Sequence, residues 1–527
     1  MTSPSNDEKH DTENQRLPIG ISHWRMVFDP GHCTPNVQSH SHEGEGTKES
    51  PFVVSWLDSD PRNPYNWSIT KRALITCCIS SSSLAASLSS SAYTGSTKQV
   101  EQHFHVGAEV VTLGLSLFVL GFAIGPILFA PLSELYGRQP VFISTYGALA
   151  VFNAGAAGAK NIQTLLVLRF FAGVFGSSPL TNAGGQIADM YGPRLVGLAM
   201  SLFVVAPFIG PALGPIIGGY IGETVGWRWV EGFLAAFTGA IWLLGVIFIP
   251  ETYAPVLLRK RAQRLTKISN GKIYKSQLEI EKGATSAKEV FKRALSRPWL
   301  LLFMEPIVLF LSTYMAIIYG TLYMFFSAFP IVYQEQRGWS EGLGGLAFIG
   351  VGLGMVCGVI YAVPENFRYQ RVIARAEGKP VPPEERLRPA MVGTPWIPIA
   401  LFWFAWTNYP HLPPYASIAA GVPFGFGMVI VYLSITNYLV NSYTIFSASA
   451  LAANTVLRSL FGFAFPLFAA PMYHNLGIHW ASCIPAFLAL VCVPFPFVLF
   501  KYGSVIRKKC KYAAEAERLR LMVHGGR

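Results

Sequence analysis

Three charged side chains stand where charge is expensive. Arg169, Arg458 and Glu305 each lie inside a long apolar run, and an ionisable group placed in hydrocarbon is a functional candidate by default. Glu305, near one end of its run, is the one carboxyl clearly inside such a stretch. A buried carboxyl can take up and release a proton, which makes it the leading proton acceptor. Glu109, Glu223 and Glu231 fall near one edge of the apolar runs and Asp189 near the other, and no acid occurs between Glu385 and Glu515. A buried arginine acts either as a tie to backbone carbonyls or as part of a site. The residues by themselves leave both roles open for Arg169 and Arg458.

Hydroxyls and aromatic rings recur in the same runs. Ser80, Ser83 and Ser87, Phe208, Tyr314, Tyr319, Tyr323, Tyr432 and Asn437 would line a cavity with broad apolar walls and a few polar handles, which suits a bulky amphipathic ligand. Taken singly, each is an ordinary packing or lipid-facing residue. Enzyme signatures are missing: there is no Gly-rich phosphate loop, no Ser-His-Asp set and no zinc spacing. The seven cysteines are scattered and read as small apolar fillers. His40 and His42 in SHSHEGEG read as part of a solvated tail rather than a metal trap. We therefore expect no enzymatic activity, no metal and no cofactor.

The elements that must position these residues are membrane helices. Of 527 residues 51% are hydrophobic and only 13% charged, a balance outside the soluble range. Apolar runs of bilayer-crossing length fall near 73–93, 110–130, 140–158, 164–187, 195–221, 229–249, 300–330, 343–363, 392–408, 415–438, 446–471 and 480–500. The fold class is therefore all-α membrane, with twelve transmembrane helices in two pseudo-symmetric six-helix bundles. The expected domains are a disordered cytoplasmic tail at 1–70, bundles at 71–250 and 299–502, a basic linker at 251–298 and a basic tail at 503–527. Twelve Lys or Arg occupy Glu251–Pro298, six the loop Glu365–Ala390 and eight the chain after Phe500. The positive-inside rule then puts both termini in the cytoplasm. The net charge of +12 follows from that topology and from anionic lipid, with no nucleic acid as partner. Asn66-Trp67-Ser68 is a glycosylation pattern on the cytoplasmic side, expected to stay unmodified.

Two segments look built for movement. Residues 210–219 read GPALGPIIGG, and with Pro207, Pro211 and Pro215 in one span the helix gives up hydrogen bonds that membrane helices normally keep. Gly210, Gly214 and Gly218 recur every four residues, so they share a face that another backbone could approach closely. The turn APLSELYGRQPVF at 130–142 gathers Glu134, Gly137 and Arg138 at a membrane edge, where charges could pair and separate as the halves rock.

These strings resemble the major facilitator superfamily over residues 50–505. Its antiporter motif gxxxGPxxGGxl is met at Gly210, Gly214, Pro215, Gly218 and Gly219. Its gating motif GxLaDrxGrk is met at Leu132, Gly137 and Arg138, with Ala130, Glu134, Leu135 and Gln139 as departures. LVLRFFAGVFG is similar to the fourth-helix motif at Arg169 and Gly173, with Ala172 in place of its usual Gln. NPYNW, YTGS, GWRW, PETYAPVLLRKRAQRL and EPIVLFLSTYMAIIYGTLY are similar to fungal drug:proton antiporters.

The resemblance implies the major facilitator fold and a proton-driven efflux pump for lipophilic drugs, toxins or secondary metabolites. It implies Arg169 in the proton path and Glu134, Gly137, Arg138 and Asp189 around the gating turn. A plasma-membrane monomer with protons, lipid and a small lipophilic substrate as partners is expected. A nutrient symporter, a polyamine exporter and a non-transporting sensor are the rival readings. Acids are scarce in the second half while Arg169 and Arg458 add positive charge, so neutral or weakly acidic cargo fits better than a polycation.

Overall fold

The computed structural model describes residues 21–192, 195–269, 271–282, 287–377, 381–409 and 411–525. Twelve crossings can be followed. Spans 1 to 6 are Ile69–Ser91, Ala108–Tyr136, Arg138–Ala157, Ile162–Met190, Val196–Val225 and Trp227–Phe248. Spans 7 and 8 are Pro306–Phe329 and Ile349–Arg375. Span 9 is Trp396–Trp406, lengthened by the short helix Arg388–Gly393, and span 10 is Gly421–Tyr443. Spans 11 and 12 are the two helices on either side of Gly477 within Ser447–Cys492, and the second continues in Pro494–Lys509.

Local chemistry sets these ends. The Ser68 hydroxyl accepts from Lys71 N to start span 1, and Asn161 Oδ1 accepts from Thr164 N to start span 4. Gly477, at φ 73°, sits in the left-handed region and makes the hairpin between spans 11 and 12. Within the first half span 2 packs on span 4, span 1 on span 5 and span 3 on span 6; within the second, span 7 packs on span 11 and span 8 on span 10. The halves meet where span 5 lies on span 8 and span 2 on span 11.

The face that carries the linker is called the basic face below. The tail expected to be disordered over 1–70 is folded there from Ile21 onward; residues 1–20 lie outside the described residues. Phe52–Val54 pairs in parallel with Tyr274–Ser276, Asp60 accepts both terminal nitrogens of Arg261, and Asp29 pairs with Arg264. Low overall hydrophobicity hid a few well-spaced apolar residues. Cys33, Val37 and Val54 close a small core against Ala262 and Leu265 of the linker helix Ala254–Ile268. The Asn66 amide donates to the carbonyls of Asp58 and Asp60. The chain after span 12 forms the helix Lys511–Gly525. The basic linker, residues 270 and 283–286 aside as outside the described residues, is largely helical.

Candidate functional site

Arg169 is fully buried on span 4. Its Nη1 donates to Glu231 Oε1 at 2.7 Å, Nε to Gly114 O at 2.8 Å, and Nη2 to Ser89 O and Ser90 O at 3.1 and 3.3 Å. The two open roles of this arginine therefore coincide, since it ties spans 1 and 2 by their carbonyls and also meets a carboxylate. The rings of Tyr93 and Phe118 cover the guanidinium at 4.4 and 5.0 Å. Glu231, read from the sequence as lying near the membrane surface, is 1% exposed, and its Oε2 has no hydrogen-bond partner. It is the residue sequence reasoning missed. The signal was available: Arg169 enters from the same face as span 6, and a deep arginine needs an acid at matching depth.

A second cluster sits at the seam of the halves. Ser90 Oγ and Tyr323 Oη share a hydrogen bond at 2.9 Å, and Tyr319 Oη donates to Tyr323 Oη at 3.4 Å. The Arg458 guanidinium lies 5.0 Å from the Tyr319 ring and 5.2 Å from that of Tyr432, whose edge meets Phe208 at 4.8 Å. Four of the proposed cavity residues, Phe208, Tyr319, Tyr323 and Tyr432, thus converge on Arg458. Ser90 continues the spacing of Ser83 and Ser87 along span 1 and links this cluster to Arg169 through its own carbonyl.

The other candidates lie apart. Ser83 is buried with no partner for its hydroxyl, and Ser87 packs where span 1 crosses Gly210. Tyr314 is buried against Thr394 inside the second half, and Asn437 donates to Leu433 O of its own helix. Glu305 is at the basic face, where Oε2 accepts from the Tyr443 hydroxyl at 3.0 Å and Oε1 from Tyr512 N at 2.8 Å. The carboxylate thereby caps the helix Lys511–Gly525.

The glycine face predicted on span 5 is in contact with span 1. A Cβ on Gly210 would meet Ser87, one on Gly214 would enter Ser91, and one on Gly218 would enter the Ala92 carbonyl. Pro215 and Gly219 turn instead to the second half, against Gly345 and Glu341. Around them Gln99 Nε2 donates to Glu341 Oε2 at 2.8 Å and Gly342 N to Glu223 Oε2 at 2.9 Å. The motif therefore forms the seal that closes the halves on the face opposite the basic one.

At the basic face the gating turn is held from span 6. Glu251 Oε1 accepts from Arg138 N at 3.0 Å and Oε2 from Gln139 N at 3.2 Å, capping span 3. Gly137, at φ 109°, leaves no room for a Cβ beside that carboxylate. Arg138 Nε lies 3.5 Å from Asp189 Oδ2, its Nη1 donates to Ser133 Oγ at 2.6 Å, and its fork stacks on Tyr253 at 4.7 Å. Thr252 completes the set by donating to Asp189 at 3.4 Å. Glu134 is exposed and reaches this network only through its charge beside Tyr253. Glu251 was visible in the string PETYAP, though its capping role depends on a helix distant in sequence.

The fold and these two motif sites define a twelve-helix transporter of the major facilitator type. The family model of the Major Facilitator Superfamily matches residues 79–466, and the chain belongs to that superfamily. It is 61% identical over 501 residues to the MFS-type efflux pump MFS2 of Trichophyton rubrum, covering 95% of this chain and 84% of that one. It is 57% identical over 517 residues to the major facilitator superfamily multidrug transporter mdrA of Aspergillus fumigatus, covering 98% and 85%. Among solved structures, the xylose transporter XylE from E. coli in a partially occluded inward open conformation shares the fold at TM-score 0.57 and 15% identity, over 82% of this chain and 99% of that one.

Proposed function

We propose that this chain exports lipophilic drugs, toxins or secondary metabolites from the cytoplasm in exchange for protons, by alternating access across the plasma membrane, with both termini inside. The observation that carries the coupling is the buried Arg169–Glu231 pair, 2.7 Å apart with one carboxylate oxygen free. Protonating Glu231 cancels its charge and leaves Arg169 to its carbonyl partners on spans 1 and 2. Ser90 is one of those partners, and its hydroxyl reaches Tyr323 in the other half. Gain or loss of the proton therefore changes how span 1 holds span 7 beside the aromatic cluster. Glu305, bound to the C-terminal helix, is less suited to that task. The names of the relatives in Trichophyton and Aspergillus, an efflux pump and a multidrug transporter, support the outward direction.

The test is expression in a drug-sensitive host. We expect lower cellular content of a fluorescent amphipathic dye, lost on adding a protonophore and lost in Glu231→Gln at equal surface abundance. A rise in dye content would move the chain to the uptake reading.

A further inference from the structure

We propose that Arg458 is the seat of a substrate anion, and that the preferred cargo is a lipophilic monocarboxylate whose apolar body lies among the aromatic rings at the seam. The proposal rests on the export reading above for its consequence in transport, though not for the binding itself.

The first support is charge. Three buried arginines have carboxylate partners in the chain: Arg169 has Glu231, Arg261 has Asp60 and Arg507 has Glu384. Arg458 has none within 4 Å among the described residues, and its Nε is buried without a hydrogen-bond partner. Of the other arginines with a buried, unpartnered nitrogen and no carboxylate partner, Arg62 and Arg386 belong to the basic face, where Glu251 and Asp60 share the surroundings of Arg62, and Arg72 and Arg337 donate to the carbonyls of Met190, Leu412 and Tyr409. An unneutralised guanidinium inside a bundle calls for a counter-charge. The chain offers little to supply it, because no acid occurs from Arg386 to Ala514 and Glu305 is committed to Tyr443 and Tyr512.

The second support is geometry. The Tyr319 and Tyr432 rings lie over the guanidinium and its Nε is a buried donor without a partner; a carboxylate accepts two in-plane guanidinium hydrogens side by side. The Tyr432 hydroxyl is also within hydrogen-bond reach of Arg458. Phe208 closes the wall from the first half, and Tyr323 joins the site to Ser90 and so to Arg169. An anion seated here therefore lies next to the segment whose hold depends on Glu231, which couples cargo charge to the proton.

The experiment uses the full chain purified into lipid nanodiscs and the fluorescent probe 11-(dansylamino)undecanoic acid, beside its uncharged methyl amide. We expect wild type to bind the acid at least about tenfold more tightly than the amide, the scale of a charge-assisted pair. Arg458→Gln should lose that preference, the acid and the amide then binding alike, and Arg458→Lys should keep part of it because charge remains and the fork is lost. Equal affinity of wild type for acid and amide would overturn the proposal, as would an undiminished preference in Arg458→Gln. So would erasure of the preference by physiological chloride in place of gluconate, which would make the site one for an inorganic ion. Protonophore-sensitive export of the probe is measured separately in cells. Selective binding without export would refute the transport reading and leave the anion site standing.

Discussion

At the residue scale, the most consequential pairing is that of Arg169 with Glu231, which meet 2.7 Å apart between spans 4 and 6. Arg169 stands out because it is deep, whereas Glu231 looks peripheral when counted from the edge of span 6 and becomes interior through the packing of spans 1, 3 and 5 against span 6 and the reach of Arg169 from span 4. Removing Arg169 alone strands a buried carboxylate, at a cost on the order of 3–5 kcal/mol. We therefore predict that Arg169→Ala lowers the unfolding temperature in detergent, and that Arg169→Ala with Glu231→Gln recovers part of the loss while remaining inactive. Equal stabilities of the single and double variants would show that the two side chains do not act as a pair. Arg169→Lys should retain partial export, because lysine keeps the charge but cannot serve Gly114, Ser89, Ser90 and Glu231 together.

At the element scale, span 5 packs two kinds of neighbour with two sides of one motif. Gly214→Leu is predicted to abolish transport with the protein still in the membrane, because the side chain would occupy the place of Ser91 on span 1. Its activity in dye export at normal surface abundance is the check. Glu305→Gln, in contrast, should leave proton coupling intact and loosen the helix Lys511–Gly525, which limited proteolysis reads directly. The folded N-terminal segment adds a pH dependence. Burial lowers the pKa of His42 below its usual 6.5, so the docked segment prefers the neutral ring. Above pH 6.5 this group has no effect, and as pH falls below that value the undocked segment protonates first and docking weakens. Protease cleavage ahead of span 1 should accordingly rise between pH 7 and pH 5, and His42→Phe should flatten the rise.

At the scale of the whole molecule, the crossings were readable because membrane length and composition leave few alternatives. Span 3, expected at 140–158, is found at Arg138–Ala157, and the positions of the antiporter glycines told which face would be approached closely. Span 9 was less plain because Pro395 and Pro398 remove backbone donors where its two helical pieces join, leaving 11 residues in its main segment. What stayed hidden shares one cause. The partners of Arg169, the cap that Glu251 places on span 3 and the docking of residues 21–68 on the linker all join residues far apart in sequence, so no local pattern announces them. Topology remains open to a direct check: in a cysteine-free background, a cysteine near Lys267 should react with an impermeant thiol reagent only in permeabilised cells, and one near Gln102 in intact cells. The charge distribution also predicts unchanged spermidine tolerance in cells making the protein, because the seam offers Arg458 rather than a carboxylate to a polycation.

The central claim is that a proton taken at Glu231 drives export. Purified protein in liposomes containing a pH-sensitive dye, given an inward-acid or outward-acid step and an amphipathic fluorescent substrate, reports substrate and proton movement together. Wild type should move substrate against its gradient toward the acidic side with matching opposite proton flow, and Glu231→Gln should show neither while still binding substrate. Gradient-driven transport by Glu231→Gln at the wild-type rate would contradict the account.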